Sequence, residues 1–438
     1  MLNKLLFRQI DNSALIVFRI CFGLLIFLES IGAIFTGWVG RAVANPKFTF
    51  NFIGFDWLQI FQGPSMYAYF VIMGIFGAMV MVGYKYRLSM LAFAVLWSGA
   101  YFMQKNSYNN HYYLLMLMSY MMVFLPANAY CSVDAKKDKS LLSYKMPQWV
   151  AVIIIFQMLI VYTYASIAKM YPDWLDTSFI ALLLKSKSHY PIVGGLFVEQ
   201  WFHYFIAYSG LLFDLLVVPF LLLKPTRKFA FFASIFFHIF NSVIFHVGIF
   251  PYLALAICLF FFEPKTIRNI FLKKKPLYLD SEIIIPKRKA LVVVIISVYA
   301  IYNVLMPLRH WVIQDNVLWT EEGHRLSWRM MLRSKKGLVT YHIEDKDTKE
   351  RTVIHLGEHL SRKQKHLAAT KPDVIWQFSK YLKAHYAKAG KDVAVYVNCR
   401  VSVNGRPYQR LIDSEVDIAS EEWPIFKHAS WILPSKLD

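Results

Sequence analysis

Up to about residue 309 the chain is a succession of long apolar runs separated by short polar segments; beyond it the apolar positions recur in short alternations. Nine runs reach or approach the roughly 20 residues needed to cross a bilayer as helix. They fall near 14–37, 65–83, 87–104, 111–128, 149–170, 204–223, 228–247, 249–263 and 289–308, the eighth being the shortest. In the remainder, Leu338–Ile343 and Arg351–Leu356 alternate like strands, and Lys363–Ala389 places Ile375, Phe378, Tyr381 and Leu382 at helical spacing. Asp392–Val403 and Pro407–Ile412, joined through Asn404-Gly405, carry a hairpin signal. The pattern predicts an all-α polytopic bundle of about nine transmembrane helices over residues 1–309, followed by a small α+β extracytoplasmic domain over 310–438.

Composition agrees, since 57% of residues are hydrophobic and 17% aromatic, too apolar for a soluble protein of this length. The first apolar run is too long for a cleavable signal, and no small-residue cleavage site follows it. The net charge of +20 suggests nucleic acid, but its placement argues against that partner. Residues 310–438 hold 21 Lys+Arg against 16 Asp+Glu, and the rest of the excess sits between spans. Alternate short segments carry 19 basic residues on one side and six on the other. By the positive-inside rule the N-terminus is cytoplasmic and everything after Pro307 lies outside. The four cysteines have no metal or disulfide spacing.

That orientation gathers polar groups on the outer side. Lys169 closes the fifth span in Tyr162–Trp174, YTYASIAKMYPDW. A lysine there ordinarily snorkels to the interface as an anchor. The segment SYNNH, residues 107–111, joins spans three and four, and His246-Val-Gly248 joins seven and eight. His238, Asn241 and Phe245 share one face of span seven, with His238 near mid-bilayer and His246 about 12 Å higher. Ionisable groups at such depth are functional candidates. Arg19 and Glu29 in span one are either site residues or internal ties. An outer strand-rich domain either presents a peptide to this region or caps it.

Six motifs, in this order, resemble those of the vitamin K-dependent γ-glutamyl carboxylases and their bacterial homologues with an HTTM-like membrane domain. They are FRICFGLL (18–25), SYNNHYYL (107–114) with FLPANAYCSVDA (124–135), IAKMYPDW (167–174), FHIFNSVIFHVGIFPY (237–252), LSWRMML (326–332) and VSVNGRPYQRLIDSEVDI (401–418). The resemblance implies a membrane enzyme that uses vitamin K hydroquinone (phylloquinol or menaquinol) as cofactor, O2 and CO2 as co-substrates, and no metal. Oxygenation of the hydroquinone to its 2,3-epoxide drives removal of a γ-proton from a peptide glutamate, and CO2 then adds to give γ-carboxyglutamate. It implies as partners membrane lipid, a glutamate-containing peptide or protein and a quinone epoxide reductase, in a bacterial inner membrane.

By resemblance, Lys169 is the catalytic base, and Asn109, Asn110 and His111 stabilise the reacting quinone oxygen. A lysine amine is a base only when neutral, and removal from water favours that form. His238, Asn241, Phe245, Gly248, Phe250 and Tyr252 carry over as the quinone face, apolar with polar handles; for Phe245 and Tyr252 ordinary helix packing is the alternative. Trp328, Met330 and Met331 match the stretch near glutamate and quinone head, and Arg410 is a candidate partner for a substrate carboxylate. There are departures. Animal members are longer at the C-terminus and carry an outer disulfide, whereas Cys399 stands alone outside. Arg329 occupies a position expected to be acidic, and Arg333 one expected to be histidine. These departures bear on propeptide recognition and on glutamate carboxylation, which leaves a hydroquinone epoxidase without carboxylation as an alternative. A di-iron oxygenase would need clustered histidine boxes, and His238 and His246, eight apart, have no second box. A non-enzymatic binding protein is a further alternative, and no pair of broken helices suggests a transporter.

Overall fold

The computed structural model describes residues 2–437. Helices occupy all nine expected positions: α1 Ser13–Phe35, α2 Ser65–Val82, α3 Tyr86–Met103, α4 Asn110–Phe124, α5 Trp149–Ile167, α6 Gln200–Leu222, α7 Arg227–Phe245, α8 Phe250–Ile257 and α9 Lys289–Leu308. Six of them (α1, α2, α5, α6, α7 and α9) are long and apolar enough to cross a membrane. The count of nine is therefore not reached by that measure. At about 1.5 Å per residue, α4 with 15 residues falls short of a ~30 Å core. Helix α8 gives way to a 3-10 turn at Cys258–Phe261, and α3 carries Arg87, Ser89 and Ser98.

Close backbone approach holds α1 against α2. A Cβ on Gly23 would lie 2.3 Å from the Met81 nitrogen, and one on Gly77 would lie 2.8 Å from the Phe27 nitrogen. Small residues permit this van der Waals packing where lipid supplies no hydrophobic drive. Arg19 of α1 is fully buried and donates to the Cys131 carbonyl at 2.7 Å, a structural tie. Glu29 accepts from the Tyr112 hydroxyl at 2.6 Å.

The C-terminal region contains a four-stranded antiparallel sheet, β1 Lys335–Asp345, β2 Arg351–Val353, β3 Val393–Val403 and β4 Gln409–Arg410, ordered β2-β1-β3-β4. Asn404 and Gly405 both adopt positive φ between β3 and β4, as a tight hairpin requires. The expected single helix over Lys363–Ala389 is two helices, α10 Arg362–Ala368 and α11 Pro372–Ala387. Pro372 lacks an N–H and so begins a new helix. Val374, Ile375, Phe378 and Leu382 of α11 are fully buried in one core with Val395, Val397 and Val401 of β3. That core also takes in Phe48, Phe50 and Trp174 from the helical part, so the two parts share apolar packing.

Two carboxylates lock the parts together. Asp373 of α11 meets Lys105 at 2.7 Å and Arg325 at 2.5 Å. Asp173, just beyond α5, accepts from Arg406 at 2.6 and 2.7 Å and from Asn404 at 2.7 Å. Burial acts to raise both carboxyl groups, but Arg325 and Lys105 hold Asp373, and Arg406 and Asn404 hold Asp173, below the usual carboxylate range. A depressed folded-state value contributes stability above the unfolded value of about 3.9, lost as pH falls through the folded value. The thermal midpoint of the detergent-solubilised protein should therefore fall as pH drops below about 4. Asp373→Asn should flatten that dependence; an unchanged slope would remove Asp373 from the lock.

Candidate functional site

The site begins at the end of α5. Ala168 caps the helix, and Lys169 N–H donates to the Ser166 carbonyl at 2.9 Å, a tight last turn. That turn carries Lys169 back against α6 instead of outward to the interface. The side chain is 11% exposed, pairs with the Asp214 carboxylate of α6, and lies 5.4 Å from the centre of the Trp174 ring. Sequence reasoning missed Asp214, although it is the only carboxylate in the apolar run 204–223. The isolated neutral amine expected from burial is therefore replaced by an acid–base pair. A carboxylate in contact favours the ammonium, whereas a dry setting favours two neutral partners.

Two turns deeper, the Tyr162 hydroxyl meets His238 Nε2 at 2.7 Å. His238 is 1% exposed, and its Nδ1 has no partner among the described residues. Phe250 presents its edge to His238 at 5.6 Å between centroids, and Phe213 stacks on Phe237 at 3.9 Å. Asn241 donates to the Phe237 carbonyl at 2.7 Å within α7.

The NNH motif divides its work. Asn109 caps α4 by accepting from Tyr112 N–H at 2.7 Å. Asn110 accepts from the Tyr108 hydroxyl at 2.8 Å and donates to the Arg329 carbonyl at 3.0 Å. The His111 ring has no hydrogen-bond partner among the described residues and lines the cavity described below. A Cβ on Gly248 would approach its Nε2 to 3.2 Å, so the turn after α7 lies directly against it.

A roof of residues 326–332 closes the end of the site near Lys169. Leu326, Trp328 and Met331 all have positive φ. Non-glycine residues in that region cost of order 1–3 kcal/mol each and persist only where the surroundings hold them. The holds are visible: Tyr108 hydroxyl to Leu326 N–H at 2.7 Å, the Asn110 bond, and Tyr171 hydroxyl to the Leu332 carbonyl.

These elements enclose a cavity of about 830 Å³. Of the residues expected at a site, Lys169, Asn109, Asn110, His111, His238, Asn241, Phe245, Phe250, Met330 and Met331 line it. Gly248 backs His111. Three others are not brought into the lining. Trp328 is 1% exposed and packs on Tyr113 at 4.9 Å, because its left-handed backbone turns the indole into the bundle. Tyr252 is 53% exposed and bonds to Ser242 at 3.1 Å. Arg410 is exposed on β4 opposite Arg400, while Arg406 of the same hairpin takes the carboxylate of Asp173.

The cavity continues between α6 and α7 as an apolar groove bounded by Leu212, Leu216, Phe220, Phe229, Ala233 and Phe236. Leu212, Phe229 and Phe236 are exposed, so the groove opens on the outer faces of these two helices. An apolar bicyclic ring with an oxygen at each end fits the lining. His111 and Lys169 stand toward the roof, and His238, with its free Nδ1, stands deeper. The groove suits an attached hydrocarbon tail.

Comparison with known families gives two matches. The family model of the HTTM domain matches residues 7–265, more than half of the chain. The model of the vitamin K-dependent gamma-carboxylase lumenal domain matches residues 288–438. No solved structure gives a significant match.

The lysine–aspartate pair makes its own prediction. Removing one partner of a buried pair costs about 3–5 kcal/mol, because the other charge is left unpaired. Asp214→Asn should lower the thermal midpoint accordingly, and the double variant Lys169→Met/Asp214→Leu should recover most of the loss. Single and double variants of equal stability would mean that the pair carries no such burden.

Proposed function

The chain belongs to the vitamin K-dependent gamma-carboxylase family, and we propose on that footing that it is a naphthoquinol-dependent γ-glutamyl carboxylase. The carrying observation is the single cavity that holds Lys169, His111 and His238 among aromatic rings. When bound, the reduced naphthoquinone supplies, with O2, the strong base that takes a γ-proton from a peptide glutamate, after which CO2 adds to the carbon. In the same reading the six long apolar helices cross a bacterial inner membrane, the shorter α3, α4 and α8 cross with the help of their flanking turns, and the N-terminus is cytoplasmic. Residues 1–309 form the carboxylase/epoxidase domain and 310–438 an extracytoplasmic domain. A quinone epoxide reductase regenerates the cofactor.

The chain's own residues have definite tasks. Lys169 and Asp214 share one proton between Nζ and Oδ2. With that proton on Oδ2, the Nζ lone pair is free to accept another from a hydroxyl in the cavity, and the pair then carries two. His111 donates a hydrogen bond to an oxygen near the roof. Tyr162 orients His238, which holds the oxygen at the far end. Asn109 and Asn110 keep α4 and the roof in register, and the apolar walls exclude water, strengthening each polar contact.

A second reading, hydroquinone epoxidation without carboxylation, draws on Arg329 and Arg333 at positions expected to be acidic and histidine. The assay that separates the two combines hydroquinone, O2, a glutamate peptide and labelled bicarbonate. Epoxide and fixed label together are expected; epoxide with no label on any peptide would decide for the second. Lys169→Ala should cut epoxide formation by about 100-fold or more, and wild-type epoxidation by that variant would remove Lys169 as base. Ala233→Trp narrows the groove and should raise KM roughly tenfold, about 1.4 kcal/mol, for a long-tailed quinol, but not for the tail-less ring. Equal effects on both would take the tail out of this groove.

A further inference from the structure

Arg329 is buried to 9% exposure without a carboxylate in reach among the described residues. Its Nη1 donates to His310 Nε2 at 3.2 Å, its carbonyl accepts from Asn110 at 3.0 Å, and its Nε has no partner. Nδ1 of His310 lies 2.8 Å from the Pro307 carbonyl, to which it donates, so Nε2 is left to accept and the imidazole is neutral. Burial, and the neighbouring Arg333, push the Arg329 guanidinium down to about 10. The other cations nearby are already engaged. Arg333, Lys335 and Lys371 all converge on the one carboxylate of Glu321. The region therefore holds an excess of buried positive charge, an arrangement that calls for an anion.

Arg329 also lines a second cavity of about 650 Å³. This one runs along Ala168, Met170 and Tyr171, the residues flanking Lys169, and on toward His310 and Asn316. Its one acidic residue, Asp315, is bonded to Ser435. Arg329 thus stands on the wall between a polar chamber and the cavity that contains Lys169.

We infer that Arg329 is a carboxylate-binding residue, and that the second cavity admits the acidic side chain of an extended peptide to it. That this side chain is glutamate rests on the carboxylation proposed above; the anion site itself does not. The chemistry gives such a site a purpose. When the γ C–H bond breaks and its proton leaves, the electron pair spreads onto the adjoining carboxylate, which becomes a dianion until the new C–C bond to CO2 forms. A fixed guanidinium in a dry wall offsets that charge as it develops. Arg410, exposed on β4, offers no such setting.

The test is calorimetric titration of the purified full chain with a blocked peptide carrying one internal glutamate, and with its glutamine counterpart. The wild type should bind the glutamate peptide about 10- to 100-fold more tightly. Arg329→Gln should bring the glutamate peptide to the level of the glutamine one, and Arg329→Lys should restore part of the preference. Equal wild-type affinity for the two peptides, a comparison that needs no variant to fold, would overturn the site. So would a preference that survives in Arg329→Gln. A preference that Arg329→Gln abolishes, with no label fixed in the carboxylation assay, would support the site while defeating the carboxylation.

Discussion

A lysine and an aspartate that face each other between apolar helices cannot separate cheaply, and much of this molecule is arranged around one such pair. Lys169 and Asp214 fix the end of α5 against the middle of α6. The stretch around the lysine then makes a contact at almost every turn. Tyr162 reaches His238 on α7, Trp174 donates to Ala207 on α6, Tyr171 reaches the roof at Leu332, and Asp173 takes the hairpin at Arg406. Each bond is modest on its own, of order 1 kcal/mol for neutral groups and 1.5–3 where a charge takes part. Acting from one short segment, they set the position of a helix, a roof and the C-terminal sheet relative to one amine.

The roof explains why an amide-rich motif stands beside that amine. Asn109 and Asn110 use their side chains to cap α4 and to hold the carbonyl of Arg329. Three left-handed residues in six positions would not keep their shape without such ties. Of the three adjacent polar residues, only the histidine is left with both ring nitrogens free of internal bonds. Chemistry and scaffolding are thus separated within a tripeptide, and the sequence alone gave no means of telling one from the other.

What the sequence revealed and what it hid follow from the range of the forces involved. Apolar runs and the Asn404-Gly405 turn act within a few residues, so the positions of the nine helices and of the hairpin turn were legible, although only six of those helices have the length and apolarity of a membrane span. The break at Pro372 was written in the sequence too, but the helical spacing of Ile375, Phe378 and Leu382 outweighed it. Trp328 was legible as part of a motif, not as a residue turned into the bundle, because that depends on a backbone angle held from residue 108. The same distance hid the choice of Arg406 over Arg410. Asp214 was legible by the rule that brought out Lys169, a single charge in an apolar run, and its pairing could be found only by setting α5 beside α6.

Arg333 and Arg329 show how little a departure from a family pattern says until its surroundings are known. Both stand where the resemblance leads one to expect a residue of another kind, four positions apart in the sequence. Arg333 lies against Glu321, a carboxylate held well below its usual range by Arg333, Lys371 and Lys335 in spite of burial, so its charge is spent inside the fold. Among the described residues the guanidinium of Arg329 is bonded only to the uncharged ring of His310, and its Nε has no partner. Desolvation of a cation is not recovered by such a partner, and a fold that keeps one buried in this way stores an attraction for whatever anion can reach it. An arginine is thus internal at one position and outward-looking at the other, with Glu321 making the difference.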